Sequence, residues 1–207
     1  MPDTHHAFEH VKAVYLPIAI VVFTLVVGAV LILLVRGAGR DRPGRRSNAL
    51  RLELANAAVL ACVAAFLVVI TFRTETPLDR TVAHPALRVR VIAAQWSWRF
   101  EYPGGVAVAA VSTWHPRPAL VPTGVEIEFA GVSRDVIHGF WVPQLSFMRQ
   151  LLPGHVSRFD LIFHAPGTYM GTCSVFCGEQ HTEMHFALQA VPAVQFERWL
   201  ASGGSSA

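Results

Sequence analysis

Charged residues are scarce in this sequence of 207 residues, in which Asp, Glu, Lys and Arg together make up 15%. Hydrophobic residues make up 53% and the mean hydropathy is +0.41, which excludes an ordinary soluble domain. Charge is absent altogether from two runs, residues 13–35 and 54–72. Each run is close to the roughly 20 residues needed to cross a bilayer. A buried core helix can resemble the second run, but two neighbouring runs predict a transmembrane hairpin.

The N-terminus lacks the features of a secretory signal peptide. Its first ten residues, MPDTHHAFEH, contain no basic region, and the first apolar run is longer than the apolar segment of a signal peptide. We therefore interpret residues 1–72 as a membrane anchor, with spans at about 13–35 and 54–72.

Excess positive charge is confined to the connector between the two runs. Residues 36–51 contain one acid, Asp41, and six arginines, Arg36, Arg40, Arg42, Arg45, Arg46 and Arg51. From Arg73 onward, ten arginines balance ten acids, so the large C-terminal part is about neutral and a nucleic-acid-binding role is excluded. An arginine-rich short loop is the positive-inside signal. It predicts a cytoplasmic loop, with both termini and the C-terminal domain on the outer face.

The C-terminal part shows no alternation of strands with helices and no internal repeat. Residues 73–86 contain two prolines and are predicted to be a polar linker. Short β-rich runs such as LRVRVIAA and VEIEFA follow, separated by turn signals such as YPGG and VPTG. This pattern predicts an exported, antiparallel all-β sandwich or barrel over residues 87–192. Residues 193–207 are predicted to be a short helix and a flexible tail.

Cysteine is rare, and two of the three cysteines lie together. Cys62 is within the second apolar run, where it is interpreted as a small hydrophobic residue. Cys173 and Cys177 belong to the stretch CSVFCGEQHTEM, which also contains His181 and Met184. A disulfide is the default for two close cysteines in an exported domain, and zinc is a second alternative.

The histidine and the methionine favour copper over both alternatives. A disulfide needs neither residue, and zinc sites do not use methionine. Thiolate, imidazole and a weak thioether are the ligands of electron-transfer copper, and a second cysteine suggests a bridging role with more than one metal ion. His138, in SRDVIHGFWVP, is a candidate further ligand. The sequence contains ten histidines, so spacing alone does not select it.

The segments DVIHGFWVPQL, LLPG and PGTYMGTCSVFCGEQHTEM closely resemble subunit II of the haem–copper oxidases, the cytochrome c oxidase type. The resemblance extends over nearly the whole chain. It implies a cupredoxin-like Greek-key domain with a binuclear copper centre, CuA. In that family the centre receives electrons from cytochrome c and passes them to haem in subunit I.

The resemblance also implies a role for each ligand candidate. Cys173 and Cys177 correspond to the two bridging thiolates, and His138 and His181 to the terminal nitrogen ligand of each copper ion. Met184 corresponds to the weak axial ligand of one ion. The backbone carbonyl of Val175 corresponds to the axial ligand of the other.

Other positions also carry expectations, most of them from the family. Many members have a glutamate where this chain has Val175, and its carboxylate binds magnesium, so no magnesium ligand is expected here. Trp96, in AAQWSWRFEY, matches the residue at which electrons enter, and Trp98 is a second aromatic residue. Glu53 corresponds to the entrance of a proton path, although the family's following tryptophan is Asn56 here. Asp135 is expected to support a ligand or a turn.

Three other kinds of protein share part of this sequence pattern. A quinol oxidase subunit II lacks the copper ligands, which are all present here. A CuA subunit of a nitric oxide reductase fits equally well and is distinguished only by its catalytic partner. A membrane-tethered copper chaperone is expected to have β-α-β order and one span. We therefore predict the electron-accepting subunit of a terminal oxidase in the bacterial inner membrane, with subunit I and a cytochrome c as partners.

Overall fold

The computed structural model describes residues 4–35, 46–78, 82–111 and 114–204. The chain divides into two compact units: a helical unit, His6–Pro77, and a β-rich unit that comprises Leu78–Ala207 together with Met1–His5.

The helical unit contains two long helices, α1 (Thr4–Val35) and α2 (Arg46–Leu78). Their most apolar segments are His6–Ala29 and Glu53–Thr74, with mean hydropathies of 2.2 and 2.5, so each is long and apolar enough to cross a membrane. Both helices continue beyond the spans predicted from the charge-free runs, and α2 includes the first residues of the predicted linker. Of the predicted loop at residues 36–51, residues 36–45 lie outside the described part of the chain.

A polar contact joins the two helices. Tyr15 on α1 donates its hydroxyl hydrogen to the carbonyl of Leu67 on α2, at 3.0 Å, and also contacts the hydroxyl of Thr71. An unpaired hydroxyl is costly in a bilayer, because no water is available to bind it. The contact therefore satisfies a partly buried polar group and joins one helix to the other.

The described residues of the β-rich unit form ten strands and one C-terminal helix. The strands are β1 (Leu87–Ala94), β2 (Ser97–Glu101), β3 (Ala107–Val111), β4 (Ala119–Pro122), β5 (Glu126–Ser133), β6 (His138–Val142), β7 (Phe147–Leu151), β8 (Ser157–Ile162), β9 (Gly167–Cys173) and β10 (His185–Val191). Helix α3 spans Ala193–Ala201. One sheet has the order β3-β2-β1-β5-β8 and the other β4-β10-β9-β6-β7.

Two of the strand pairs are parallel, which the antiparallel prediction did not anticipate. Strand β1 pairs in parallel with β5, and β4 with β10. Each parallel pair joins strands that are separated by several others in the chain. A parallel neighbour needs a long connection rather than a tight turn, so local sequence patterns do not reveal it.

A core of aromatic rings lies between the two sheets. The largest fully buried side chains include Trp98, Phe100, Phe129, Phe140, Phe159, Phe163 and Phe186. The rings of Phe140 and Phe186 are stacked with centroids 4.5 Å apart. Burial of each phenylalanine contributes about 1.5–3 kcal/mol. Phe140 and Phe186 follow His138 and Met184 by two residues, so the core anchors β6, which carries His138, and β10, which begins directly after Met184.

The outer face of the first sheet carries closely spaced charges. Glu128 on β5 is buried and accepts a hydrogen bond from Arg158 on β8 at 2.7 Å. Asp160 lies opposite Glu128 in the strand register and accepts a hydrogen bond from the backbone N–H of Val82 at 2.6 Å. Burial, together with the charges of Glu126 and Glu128, raises the pKa of Asp160 above its ordinary value, despite the Val82 hydrogen bond.

Candidate metal centre

Two free thiols lie side by side at the end of β9. Cys173 is the last residue of the strand, and Cys177 lies in the loop that follows. Their Sγ atoms are 3.7 Å apart, whereas a disulfide bond is about 2.05 Å long. Both side chains are buried, and all three cysteines of the chain are free. Cys62 is exposed on α2, so only Cys173 and Cys177 form a pair.

Each of the two thiols has its own imidazole. His138, the first residue of β6, places Nδ1 3.8 Å from Sγ of Cys173. His181 opens the one-turn helix His181–Glu183 and places Nδ1 3.7 Å from Sγ of Cys177. His138 is fully buried, whereas His181 is partly exposed. The two imidazoles therefore approach the thiol pair from different elements of the fold.

Each thiol also has one weaker donor atom. The thioether sulfur of Met184, which is fully buried, is 3.8 Å from Sγ of Cys177. The backbone carbonyl oxygen of Val175 is 3.1 Å from Sγ of Cys173. All six residues identified in the sequence are thus brought together.

The composition of this cluster fits copper better than zinc. The donor atoms of His138, Cys173 and Cys177 lie within 4.8 Å of one another and can hold a metal ion. Two soft sulfur ligands, imidazole nitrogens and a thioether are the set that copper prefers in electron-transfer sites. Zinc sites use cysteine, histidine and carboxylate ligands, and the cluster includes a thioether and a carbonyl instead of a carboxylate.

The two thiols differ in pKa, which is lowered for Cys173 and raised for Cys177. Burial disfavours ionisation of both, but the hydrogen bonds from His138 and from the backbone N–H of Gly139 lower the pKa of Cys173. Burial and the neighbouring charge of Cys173 raise the pKa of Cys177. Because the thiolate is the form that binds metal, the surroundings favour the metal-binding form of Cys173 over that of Cys177.

Gly139 allows β6 to approach the cysteine loop, and the sequence interpretation did not identify it. Its N–H donates to Sγ of Cys173 at 3.5 Å, and its carbonyl accepts from the N–H of Ser174 at 3.0 Å. A Cβ atom at Gly139 would lie 2.1 Å from the hydroxyl of Ser174 and 3.0 Å from its backbone nitrogen. A glycine inside a strand often marks such a close backbone approach. The position of Gly139 directly after His138 is therefore the sequence signal from which this contact could have been predicted.

Asp135 holds the imidazole of His138 in place. Its carboxylate lies 2.8 Å from Nε2 of His138 and accepts the N–H groups of Gln95 and Val136, each at 2.7 Å. Burial opposes ionisation, but these hydrogen bonds lower the pKa of Asp135 below its ordinary value. Contact at Nε2 leaves Nδ1 facing Cys173. A carboxylate that fixes a ligating histidine in this way is common beside protein metal sites.

Trp96 lies beside the cluster, and Glu53 does not belong to it. The indole N–H of Trp96, in the turn between β1 and β2, donates to the carbonyl of Cys177 at 3.2 Å. The side-chain amide of Gln95 donates to the same carbonyl at 2.7 Å. Glu53 is exposed on α2, in the helical unit.

Comparison with known proteins finds similarity to cytochrome c oxidase subunit II. Residues 113–191 match the family model of the periplasmic domain of cytochrome c oxidase subunit II. The chain is 29% identical over 196 residues to the probable cytochrome c oxidase subunit 2 of Streptomyces coelicolor, covering 76% of this chain and 61% of the relative. It is also 29% identical over 140 residues to cytochrome c oxidase subunit 2 of Lycodon semicarinatus, covering 60% of this chain and 61% of the relative. The chain thus spans about three fifths of the length of these relatives.

Solved structures show the same β-rich fold. The periplasmic domain of cytochrome oxidase subunit II of Bradyrhizobium japonicum has a TM-score of 0.56 and 23% identity, covering 59% of this chain and 96% of that domain. Subunit II in a mixed disulfide with a thioredoxin-like protein has a TM-score of 0.52 and 24% identity, covering 61% of this chain and 96% of that one. The predicted fold, two apolar helices and an all-β cupredoxin-like domain, is confirmed. The helices and the family match indicate a membrane protein with an extracytoplasmic domain.

Proposed function

We propose that this protein is the electron-accepting subunit of a terminal oxidase, a member of the cytochrome c oxidase subunit II family whose periplasmic-domain model matches residues 113–191. It accepts electrons from a cytochrome c and delivers them to haem in subunit I, where oxygen is reduced to water and protons are translocated. The protein lies in the bacterial inner membrane, with both termini and the β-rich unit on the outer side.

The observation that carries this proposal is the paired arrangement of donors around the two thiols. Each sulfur has one imidazole nitrogen and one weak donor within 3.1–3.8 Å. This donor set suits two copper ions. Cys173 and Cys177 would provide the thiolates that hold them, His138 and His181 the imidazole nitrogens, and Met184 and the Val175 carbonyl the weaker donors.

The chain's own residues favour fast electron transfer through such a centre. When bound, a copper pair with two shared thiolates spreads one electron over both ions, which keeps the change in geometry small. His138 and Cys173 belong to strands β6 and β9, which pack on the aromatic core, and the supporting contacts of the other ligands are already formed. The protein therefore holds the donor atoms in place and limits the reorganisation that accompanies each transfer.

Trp96 is proposed as the residue at which electrons enter. The hydrogen bond from its indole to the carbonyl of Cys177 supports this role, because it connects the ring to a copper ligand by one short contact. Glu53 is proposed as the entrance of a proton path into subunit I, on the family resemblance alone.

Val175 is proposed to provide its carbonyl to copper and no ligand to magnesium. Its side chain has no oxygen, so the chain cannot supply at residue 175 the carboxylate found in many relatives. Manganese, which is detected by EPR in place of magnesium, tests this in the assembled oxidase. We expect Val175→Glu to create a manganese signal that the natural chain lacks. A manganese site of equal occupancy in the natural oxidase, filled by another residue of this chain at the same interface, would contradict the proposal.

Copper loading of the full chain in detergent tests the proposed centre. We expect two copper ions per chain, a purple colour and a seven-line EPR signal from one electron shared by both ions. His138→Ala should abolish the seven-line signal, whereas His155→Ala, an exposed histidine of the same unit, should leave it intact. One copper ion per chain, or the blue spectrum of a mononuclear site, would refute the assignment.

A further inference from the structure

Trp98 reaches the candidate copper ligands from inside the core. It lies on β2, its side chain is 1% exposed, and its ring packs edge-on against that of Phe186, with centroids 5.0 Å apart. The ring also meets the imidazole of His138 edge-on at 6.2 Å. Its indole N–H donates to the backbone carbonyl of Met184 at 3.2 Å. One buried side chain therefore contacts two proposed ligands that are 46 residues apart in the sequence.

The backbone of Met184 is held by hydrogen bonds rather than by a regular element. Met184 follows a one-turn helix, precedes β10 and has φ −78° and ψ 70°, which belong to neither. Its N–H donates to the carbonyl of His181 at 3.3 Å. Its carbonyl accepts from the N–H of Cys173 at 3.0 Å and lies 3.5 Å from the hydroxyl of Thr172, in addition to the contact with Trp98.

These contacts matter because the position of this backbone determines where the sulfur lies. The thioether is 3.8 Å from Sγ of Cys177 and fully buried. The strength of a weak axial ligand depends on its distance from the metal, and that strength tunes the reduction potential of copper sites. A change in the carbonyl's hydrogen bonds is thereby transmitted to the metal.

We propose that Trp98 is a positioning residue that sets how strongly the sulfur of Met184 donates to copper. This inference rests on the proposed copper function. The indole N–H fixes the Met184 carbonyl, and the ring packs beside His138, so Trp98 couples the thioether to the imidazole of His138. The family resemblance implies a role in electron entry for Trp96. The contacts assign a different role, the positioning of Met184, to Trp98 on β2.

Replacement of Trp98 by phenylalanine tests the role. Trp98→Phe keeps an aromatic ring but removes the N–H, so the thioether should be held less firmly and donate less. Weaker donation favours the reduced copper state, and the reduction potential should rise, as it should in Met184→Leu. The matched control is Trp199→Phe, a buried tryptophan of α3 that packs on Tyr102 and Phe196 and should leave the potential unchanged.

A double substitution separates positioning from general loosening of the core. If Trp98 acts through the thioether, Trp98→Phe should shift neither the potential nor the EPR spectrum further in the Met184→Leu background. Equal potentials in Trp98→Phe and Trp199→Phe would overturn the proposal. So would shifts from Trp98→Phe and Met184→Leu that simply add.

A second measurement needs no copper. The chain contains four methionines, so methyl-labelled methionine gives a simple NMR spectrum of the metal-free full chain in detergent. Trp98→Phe should move the Met184 methyl resonance, and Trp199→Phe should not; an unmoved resonance would overturn the proposal. Failure of the natural chain to bind copper would refute the proposed function. The NMR test of the contact between Trp98 and Met184 would remain valid, because it uses the metal-free chain.

Thr172→Val provides the test if Trp98→Phe does not fold. It removes the weaker donor to the same carbonyl and nearly preserves side-chain shape. The potential and the Met184 resonance should shift in the same direction as in Met184→Leu, by less than that substitution produces. No shift in either would overturn the proposal.

Discussion

Removal of the Asp135 carboxylate should weaken copper binding without removing any proposed ligand. Its oxygen atoms make three contacts of 2.7–2.8 Å, one with Nε2 of His138 and two with backbone N–H groups. Without these contacts the imidazole is held by packing alone. Its orientation must then be fixed when copper binds, which makes the binding free energy less favourable. The loss should therefore appear in affinity more than in the number of copper ions bound.

The magnitude follows from the contacts that each substitution removes. Loss of the group that orients a metal-ligating histidine typically lowers metal affinity about 10–100-fold, which corresponds to about 1.4–2.7 kcal/mol. Asp135→Asn keeps one oxygen acceptor but loses the charge, so we expect a loss of about tenfold. Asp135→Ala removes all three contacts and should approach about a hundredfold.

Competition with a copper chelator measures this loss. The full chain is loaded with copper and titrated while the absorption of the thiolate–copper bonds is followed. Asp160→Asn is the matched control, because Asp160 also accepts a backbone N–H group but contacts none of the proposed ligands. Copper affinities of both Asp135 variants within about twofold of the natural chain would refute the reasoning, since the expected loss starts near tenfold.

Three further predictions concern electron transfer, packing and pH. Trp96→Phe removes the hydrogen bond to the carbonyl of Cys177 and should slow reduction by cytochrome c in stopped-flow measurements while leaving the copper spectrum intact; an unchanged rate would discard the role. Gly171→Ala places a methyl group 2.1 Å from the ring of Phe186 and should lower the unfolding free energy by about 1–3 kcal/mol, which an unshifted denaturation midpoint would contradict. The pKa of Asp160 is raised above its ordinary value of 3.8 in the folded state. The protonated side chain therefore contributes to stability below about pH 4, and this contribution is lost as pH rises through the pKa of the folded state. Relative to the natural chain, Asp160→Asn should therefore gain stability from about pH 4 upward, and parallel pH profiles of unfolding would argue against this.

The two long helices were predictable because the membrane imposes a simple requirement. A charge-free run of about 20 residues has few stable alternatives, so residues 13–35 and 54–72 were sufficient to identify them. Their ends were not predictable in the same way. Polar residues that flank a span can continue the helix by backbone hydrogen bonding, and α1 and α2 accordingly extend to Thr4 and Leu78.

Several of the strands were also predictable, but their neighbours in the sheets were not. Alternating residues such as those of Leu87–Ala94 produce one buried face, and this local pattern is visible in the sequence. The parallel pairing of β1 with β5 depends on register and packing between distant segments. No local pattern encodes it.

The sequence by itself determined the chemistry available to this protein. A membrane anchor, an all-β domain and a dense group of soft ligands within residues 173–184 can be identified from residue types and spacing alone. Only the tertiary structure decided how those ligands pair, with His138 beside Cys173 and His181 beside Cys177. It also placed Asp135, which was expected to support a ligand or a turn, against His138, and it revealed the contact of Trp98 with the carbonyl of Met184. The physical reason is that distances between remote residues are set by strand register and core packing, so the loop recognised as a ligand set becomes a candidate two-copper centre only when both sheets are in place.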